Sequence, residues 1–521
     1  MNIQISIKNN KSRKEVLLLV LCFLFGFVLR FYTFDQRSLW IDEIHTYNDS
    51  RDDFKGQIKY YKENPNTLHP PLFFMLTHLF FPFAEPEKDL RIIPLIFGII
   101  SIPMIYFLAR LFSSNIALPC SLSLTLMTYH IYYSQEGRMY SLIMFLGMAG
   151  IYFFMKHLET LKIKYLFLVA FCFTILFHTS YSSILFIALT QMLWFYRINE
   201  IHKKPAIYSF LILNGVTLFL CIPWILFIIF NYKGQSFMDP LTIQDVGSLL
   251  SLVQAVFSDW VPYLPLTIIS VILLILFPIF SKNKKNALIL LAFWTFPIVG
   301  LYSYCKLLNV TQFITSRYFI SFLPLFLITL YLSLDAIELK FEIIKRYLRP
   351  KLLFLILFIA SNLLILPLYY RAEKQDFRGL VNYLNSQLRD GDKIFVKTFT
   401  YIPGILHYFR VDPEKRHYQI PYYYSGKEFE FRVTLISQNR KFTIYHSNVP
   451  YAQYVKDGSR LWMVVGKGSE GEIPKSFPFV LKGYFDGSFA HFRRFPSDAS
   501  MYLFLWDPGS PDEKGIDIPK R

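Results

Sequence analysis

The chain has 521 residues, of which 54% are hydrophobic and 17% charged. A composition this apolar excludes an ordinary soluble protein of this length and predicts several membrane-spanning helices. The net charge is +17, but most basic residues before residue 370 stand in short segments between apolar runs, so we expect no nucleic-acid partner.

The N-terminal region predicts a retained signal anchor. Basic residues from Lys8 to Lys14 precede the apolar run 16–34, which is long enough to span a bilayer and has no small-residue cleavage site. Further apolar runs follow at 92–110, 115–133, 139–156, 163–179, 181–196, 206–230, 262–280, 286–304, 317–335 and 352–369. The sequence therefore predicts about eleven transmembrane helices.

The charges between these runs predict the orientation. With the N-terminus in the cytoplasm, every basic cluster falls on the cytoplasmic side, as the positive-inside rule requires. These clusters are Lys156, Lys162 and Lys164; Arg197, Lys203 and Lys204; Lys282, Lys284 and Lys285; and Lys340, Lys345, Arg346, Arg349 and Lys351. The alternation holds only if the short run 72–83 is an interfacial helix rather than a span. Residues 35–91 then form a long first external loop.

The composition changes near residue 371, beyond which the chain is polar and has no run of spanning length. The spacing predicts a helix over 376–384, a turn at 390–392, and strands at 393–397, 443–445, 461–465 and 501–506. By the parity of the spans this part is extracytoplasmic. We therefore predict a transmembrane domain over residues 1–370 and a small extracytoplasmic α/β domain over residues 371–521.

Asp42 and Glu43 stand directly after the first predicted span. Carboxylates beside a span are costly to place, so an adjacent pair indicates chemistry at the membrane surface. Neighbouring residues on a helix point about 100° apart, so the two would not share one proton, and we expect separate duties. A solvated loop carboxylate or a helix cap is the alternative interpretation.

Three arginines stand at the predicted external ends of other spans. Arg91 begins the second span, Arg138 lies between the third and fourth, and Arg317 begins the tenth. Three guanidinium groups near a carboxylate pair suit a doubly charged phosphate, although anchoring of a helix end explains each one alone. His69, before Pro70-Pro71, is open between phosphate donor, metal ligand and polar cap. A divalent metal near Asp42 also stays open.

Taken in order, these segments resemble the GT-C superfamily glycosyltransferases of family 39 type, which include protein O-mannosyltransferases and the aminoarabinose transferase acting on lipid A. The resemblance covers residues 16 to about 400. It rests on Trp40-Ile41-Asp42-Glu43, His69-Pro70-Pro71-Leu72, Leu90 to Gly98, Tyr133 to Ser141, Ser316-Arg317-Tyr318, Asp376-Phe377-Arg378-Gly379 and Gly391-Asp392.

The resemblance implies a multi-pass enzyme of the bacterial cytoplasmic membrane. Such an enzyme passes a sugar from a polyprenyl-phosphate donor to a hydroxyl of a cell-envelope acceptor (lipid, polysaccharide or protein), with inversion and without a required cofactor. Asp42 is then the general base, with Glu43 as the second catalytic carboxylate. The implied contacts with the donor phosphate are His69, Arg91, Arg138 and Arg317, and the other implied substrate-binding residues are Trp40, Gln135, Glu136, Tyr140 and Tyr318.

Two other classes of protein stay open from the sequence. A secondary transporter or lipid flippase would show inverted repeats and charged or broken helices near the middle of the bilayer. A membrane-anchored scaffold would have its working part in the C-terminal domain, so that Asp42 and the external arginines would be dispensable.

Overall fold

The computed structural model describes residues 2–63, 68–80, 84–196, 203–232, 248–307, 315–341, 346–410, 430–447, 453–454, 457–467, 478–487, 499–510 and 515–516. Among the predicted basic clusters, Arg197 and Lys345 lie outside these residues. The side chains of residues 2–12 and 203–205 also fall outside the description.

The part of the chain before residue 372 is helical. Its first helices are α1 (Asn2–Phe31), α2 (Ile41–Ser50), α3 (Phe54–Glu63), α4 (Leu72–Phe80), α5 (Pro86–Phe112), α6 (Ser114–Leu126), α7 (Thr128–Ser134), α8 (Tyr140–Thr160) and α9 (Ile163–Thr179). There follow α10 (Ser183–Thr190), α11 (Leu193–Tyr196), α12 (Lys203–Asn231), α13 (Leu249–Trp260), α14 (Leu264–Phe280), α15 (Lys284–Leu307), a 3-10 helix (Ser316–Phe322), α16 (Leu323–Lys340) and α17 (Pro350–Arg371).

The prediction of a multi-pass, mostly helical membrane protein is confirmed. Within the described ranges, six helices are long and apolar enough to cross a membrane, and a seventh is added if α13 and α14, bent by 109°, count as one span. The predicted number of about eleven spans is not confirmed. The predicted interfacial segment 72–83 is observed as the short helix α4, although residues 81–83 fall outside the described part.

The predicted span 115–133 is broken between α6 and α7. Arg30 of α1 donates to the carbonyl oxygens of Leu124 at 2.8 Å and Thr125 at 3.0 Å, at the end of α6. The N–H of Thr128, which begins α7, donates to Asn362 Oδ1 at 2.9 Å. Backbone groups at a break need such partners where no water reaches them. Hydropathy alone cannot reveal the break, because the sequence stays apolar across Met127.

The C-terminal part contains a mixed six-stranded sheet. Its elements are α18 (Phe377–Gln387), β1 (Lys393–Val396), α19 (Ile402–Tyr408), β2 (Glu430–Ser437), β3 (Arg440–Ser447), β4 (Leu461–Gly466), β5 (Val480–Phe485) and β6 (Met501–Trp506). The strand order is β2-β3-β1-β4-β6-β5. The pairs of β1 with β3 and with β4 are parallel, and the other pairs are antiparallel. The predicted helix and strands are confirmed, whereas β2 and β5 were not predicted from the sequence.

The core of this sheet extends into residues 35–91. Leu39, Ile44 and Leu90 are fully buried in the same apolar cluster as Phe377 and Trp462. The loop that carries the adjacent carboxylates therefore packs directly against the C-terminal part. The division of the chain after residue 370 stays a prediction.

Candidate active site

Asp42 and Glu43 lie in the first turn of α2, where the positive end of the helix dipole favours carboxylates. Their side chains face different arginines, as neighbouring positions on a helix should. Asp42 Oδ2 accepts from Arg317 Nη1 at 2.6 Å, whereas Glu43 pairs with Arg91. The pair of carboxylates is thus divided between two different environments.

Glu43 and Arg91 form a fully buried ion pair. Arg91 Nε and Nη2 donate to the two oxygens of Glu43, each at 2.7 Å, and the two side chains are 1% and 0% exposed. The remaining N–H groups of Arg91 donate to three loop carbonyls, at Phe34, Arg37 and Ser38. All five guanidinium donors are therefore engaged within the protein.

Glu43 Oε1 also accepts a hydrogen bond from the backbone N–H of Gly137 at 2.7 Å. Burial raises the pKa of Glu43, but Arg91, Lys374 and the Gly137 N–H outweigh it and hold this pKa below its usual range. Glu43 is consequently ionised and joins α2 to α5 and to the loop after α7.

Asp42 is more accessible than Glu43. Its side chain is 23% exposed and that of Arg317 is 15% exposed. Arg138 Nη1 donates to the backbone oxygen of Asp42 at 3.3 Å and to Thr46 Oγ1 at 3.0 Å. Burial raises the pKa of Asp42, but Arg317, Arg138 and His45 together hold it below its usual range. Asp42 is thus an ionised, reachable carboxylate between two cations.

His45 and His69 lie near Asp42 and Arg138. Burial lowers the pKa of His69 to about 4, with Arg138 and His45 adding to the effect and Asp42 opposing it. Burial likewise lowers the pKa of His45, against the pull of Asp42. Both imidazoles nevertheless keep exposed surface. The lowered pKa favours the neutral imidazole of His69, which donates as an N–H group rather than as a cation.

Three aromatic rings surround Arg317. Its guanidinium carbon lies 5.9 Å from the ring centroids of Trp40 and Tyr140 and 5.7 Å from that of Tyr318. These distances are within cation–π range. The predicted substrate-binding residues Trp40, Tyr140 and Tyr318 are therefore gathered at this arginine.

Gln135 and Glu136 are buried and engaged in contacts within the protein. Gln135 Nε2 donates to the carbonyls of Arg30 at 2.8 Å and Tyr32 at 2.7 Å, and Gln135 Oε1 accepts from Tyr369 at 2.6 Å. Glu136 Oε2 lies 3.3 Å from Lys374 Nζ. Burial, partly opposed by Glu136, lowers the pKa of Lys374 to about 8.

Lys374 is a site residue that was not predicted from the sequence. Its only signal is its place, three residues after the last spanning helix and just before Asp376-Phe377-Arg378-Gly379. A lysine next to a span is usually read as an interfacial anchor.

The structure thus brings the predicted site residues into three groups. Asp42, Arg138, Arg317 and His69 meet with the aromatic rings, Glu43 pairs with Arg91, and Gln135 and Glu136 join buried contacts. Among the residues that the structure describes, no group of three or more His, Cys, Asp or Glu side chains could hold a metal ion. A divalent metal therefore has no described site.

Residues 68–227 match the family model described as dolichyl-phosphate-mannose-protein mannosyltransferase. The matched segment contains His69, Arg91 and Arg138. No curated protein matches the chain.

The chain is also similar to solved structures at low identity. ArnT from Cupriavidus metallidurans in the apo state gives a TM-score of 0.51 at 11% identity, covering 98% of this chain and 100% of that chain. The same protein bound to undecaprenyl phosphate gives 0.47 at 10% identity, covering 95% and 98%. The Archaeoglobus fulgidus oligosaccharyltransferase in complex with Zn and sulfate gives 0.46 at 12% identity. That match covers 75% of this chain and 61% of the archaeal chain.

The predicted resemblance to GT-C glycosyltransferases of family 39 type is confirmed by the family match together with the fold of apo ArnT. The predicted fold class, a polytopic helical protein of GT-C type followed by a small α/β part, is likewise confirmed.

Proposed function

We propose that the protein is a membrane glycosyltransferase that moves a sugar from a polyprenyl-phosphate donor to a hydroxyl of a cell-envelope acceptor, with inversion. The observation that carries the proposal is an ionised and reachable Asp42 held between Arg317 and Arg138. The match of residues 68–227 to a family of lipid-phosphate-sugar mannosyltransferases and the ArnT-like fold support it. The reaction takes place on the extracytoplasmic side of the membrane, in keeping with the charge distribution of the sequence.

Asp42 acts as the general base. The acceptor hydroxyl gives its proton to a carboxylate oxygen of Asp42 while its oxygen bonds to the anomeric carbon. The bond between that carbon and the donor phosphate breaks, and the phosphate leaves with the electron pair. The leaving group is already a phosphate, so no partner acid is required, unlike in an inverting glycosidase.

Donor binding strengthens this base. Arg317 is the first of the groups that lower the pKa of Asp42, against a burial effect that raises it. When Arg317 turns toward the donor phosphate it shares its charge, and the burial effect then raises the pKa of Asp42. A base becomes more effective as its pKa approaches the working pH.

Arg317, Arg138 and the neutral His69 are the proposed donors to the phosphate. Arg91 has a supporting role, because its donors are engaged by Glu43 and by the loop carbonyls. Glu43 fixes the loop through this ion pair and does not act as a base. Trp40, Tyr140 and Tyr318 line the place where the sugar meets Arg317. Loss of one such phosphate donor, as in Arg317→Met, is expected to lower kcat about 100- to 1,000-fold.

The test is sugar transfer from radiolabelled polyprenyl-phosphate sugars by the full-length protein in membranes. We expect Asp42→Asn to lower the rate about 100- to 10,000-fold, the usual contribution of a general base. The matched control is Asp35→Asn, an exposed carboxylate of the same loop, which should transfer like the wild type. Transfer that persists in Asp42→Asn at matched expression would remove Asp42 as the base.

A further inference from the structure

The helix that carries Asp42 is not capped by its own flanking residue. The first N–H groups of a helix have no partner within it, and a side-chain oxygen at the preceding position usually accepts from them. Trp40 occupies that position in α2, and an indole is a donor only. The N–H of Ile41, the first residue of α2, is not one that such a cap would reach, and it donates to Gln375 Oε1 at 2.8 Å. Gln375 is 3% exposed and lies 334 residues further along the chain.

The two residues before Trp40 are held from the same side. The N–H of Leu39 donates to the Tyr408 hydroxyl at 2.7 Å, and this hydroxyl donates onward to Glu87 Oε1 at 2.9 Å. The N–H of Ser38 donates to Glu373 Oε2 at 3.0 Å. The N–H groups of Ser38, Leu39 and Ile41 are therefore satisfied by side chains of the C-terminal part, whereas that of Trp40 donates to Glu43 Oε2 at 3.4 Å.

Residues 373–375 also contact the loop after α7. Lys374 lies between Glu373 and Gln375, and its ammonium is 3.3 Å from Glu136 Oε2 and 3.9 Å from the Tyr132 ring centroid. Glu136 precedes Gly137, whose N–H binds Glu43. Residues 373–375 thus contact both α2 and the loop after α7.

We propose that Gln375 and Tyr408 are positioning residues for Asp42, acting through the N–H groups of Ile41 and Leu39. This inference rests on the proposed function, because it takes Asp42 as the base. The C-terminal part then has a role in catalysis in addition to any contact with the acceptor. A displacement of about 1 Å at a catalytic group is enough to cost about 100-fold in rate.

The test compares Gln375→Leu, which removes the acceptor, with Gln375→Glu, which keeps an oxygen at the same reach. The matched control is Gln387→Leu, at an exposed glutamine of α18. Two readouts are taken on the full-length protein: kcat and the donor KM in the transfer assay, and hydrogen exchange at the amides of residues 38–44. The second readout does not depend on catalysis.

We expect Gln375→Leu to lower kcat about 10- to 100-fold, because Asp42 is displaced from its productive geometry. The donor KM should stay within about threefold, since Arg317 and Arg138 are untouched. Exchange at residues 38–44 should become faster in this variant and stay at the wild-type rate in Gln387→Leu. Gln375→Glu should regain most of the lost kcat.

Tyr408→Phe is the second variant, because it removes only a hydroxyl and keeps the ring in the core. It should also lower kcat and speed exchange at Leu39. Wild-type kcat in both Gln375→Leu and Tyr408→Phe, with Asp42→Asn inactive, would overturn the positioning role and leave the base assignment intact. Transfer by Asp42→Asn would overturn the base itself, whatever the Gln375 variants do.

Discussion

Replacing Arg91 by methionine is expected to destabilise the protein rather than to remove a contact with substrate. The ion pair with Glu43 is 1% and 0% exposed, and the other Arg91 donors hold the carbonyls of Phe34, Arg37 and Ser38. Breaking a buried pair leaves an uncompensated charge and costs about 3–5 kcal/mol. Those three carbonyls lose their donor as well, so we expect the upper end of that range.

A double-variant cycle isolates the pair. Glu43→Gln keeps the shape of the side chain but leaves the Arg91 charge unpaired, so it should also destabilise by several kcal/mol, about 3–5. The variant with both Glu43→Gln and Arg91→Met should lose less than the sum of the two, because no buried charge is then left alone. The measurement is the free energy of unfolding in detergent micelles, followed by tryptophan fluorescence.

The control is Arg110→Met, at an exposed arginine in the last turn of the same helix α5. A change there should stay within about 0.5 kcal/mol. If Arg91→Met unfolds like the wild type and yet fails to transfer sugar, Arg91 acts on the donor phosphate, as the resemblance implied, and the reasoning from its buried contacts is refuted.

Two further predictions concern pH and packing. Burial lowers the pKa of Lys374 to about 8, so kcat should fall as the pH rises through that value, because a neutral Lys374 loses its ion pair with Glu136 and with it a contact between residues 373–375 and the loop after α7. Lys374→Arg stays protonated and should lack this alkaline limb in a pH–rate profile; an unchanged limb would assign it to another group. A Cβ at Gly98 would lie 2.5 Å from that of Ser134, so Gly98→Ala should destabilise by about 1–3 kcal/mol. A Cβ at Gly300 would meet nothing within 4 Å, so Gly300→Ala should be neutral or stabilising by up to about 1 kcal/mol. If Gly98→Ala and Gly300→Ala unfold at the same midpoint, the contact between Gly98 and Ser134 does not limit stability.

Local patterns in the sequence predicted the C-terminal elements well. The N-cap side chain of Asp376 accepts from the Gly379 N–H at 2.7 Å, and Gly391 takes a positive φ of 86°, as the predicted helix start and turn require. Strands β1, β4 and β6 follow from short apolar runs between such turns. The alternating strand β2 is more exposed and was missed.

Contacts between residues far apart in the sequence limited how much of the candidate site could be predicted. Sequence position could show that Arg91 stands at a helix end, but not that Glu43, 48 residues earlier, takes two of its donors. Gln375 and Tyr408 carry no motif, and their contacts with Ile41 and Leu39 appear only when the C-terminal part is folded onto the loop. A residue defined by its distant partner cannot be found from spacing.

The chain is made from its N-terminus, so the N–H groups around the start of α2 are made before the side chains that accept from them. Ile41 and Leu39 are made 334 and 369 residues before Gln375 and Tyr408. At about 5–20 residues per second, translation separates the two sets by roughly 20 to 70 s. During that interval the Asp42-Glu43 turn has been made but its acceptors have not. The contacts around α2 are thus complete only after residue 408 has been made, so a chain that ends before that residue carries the motif without the proposed positioning contacts.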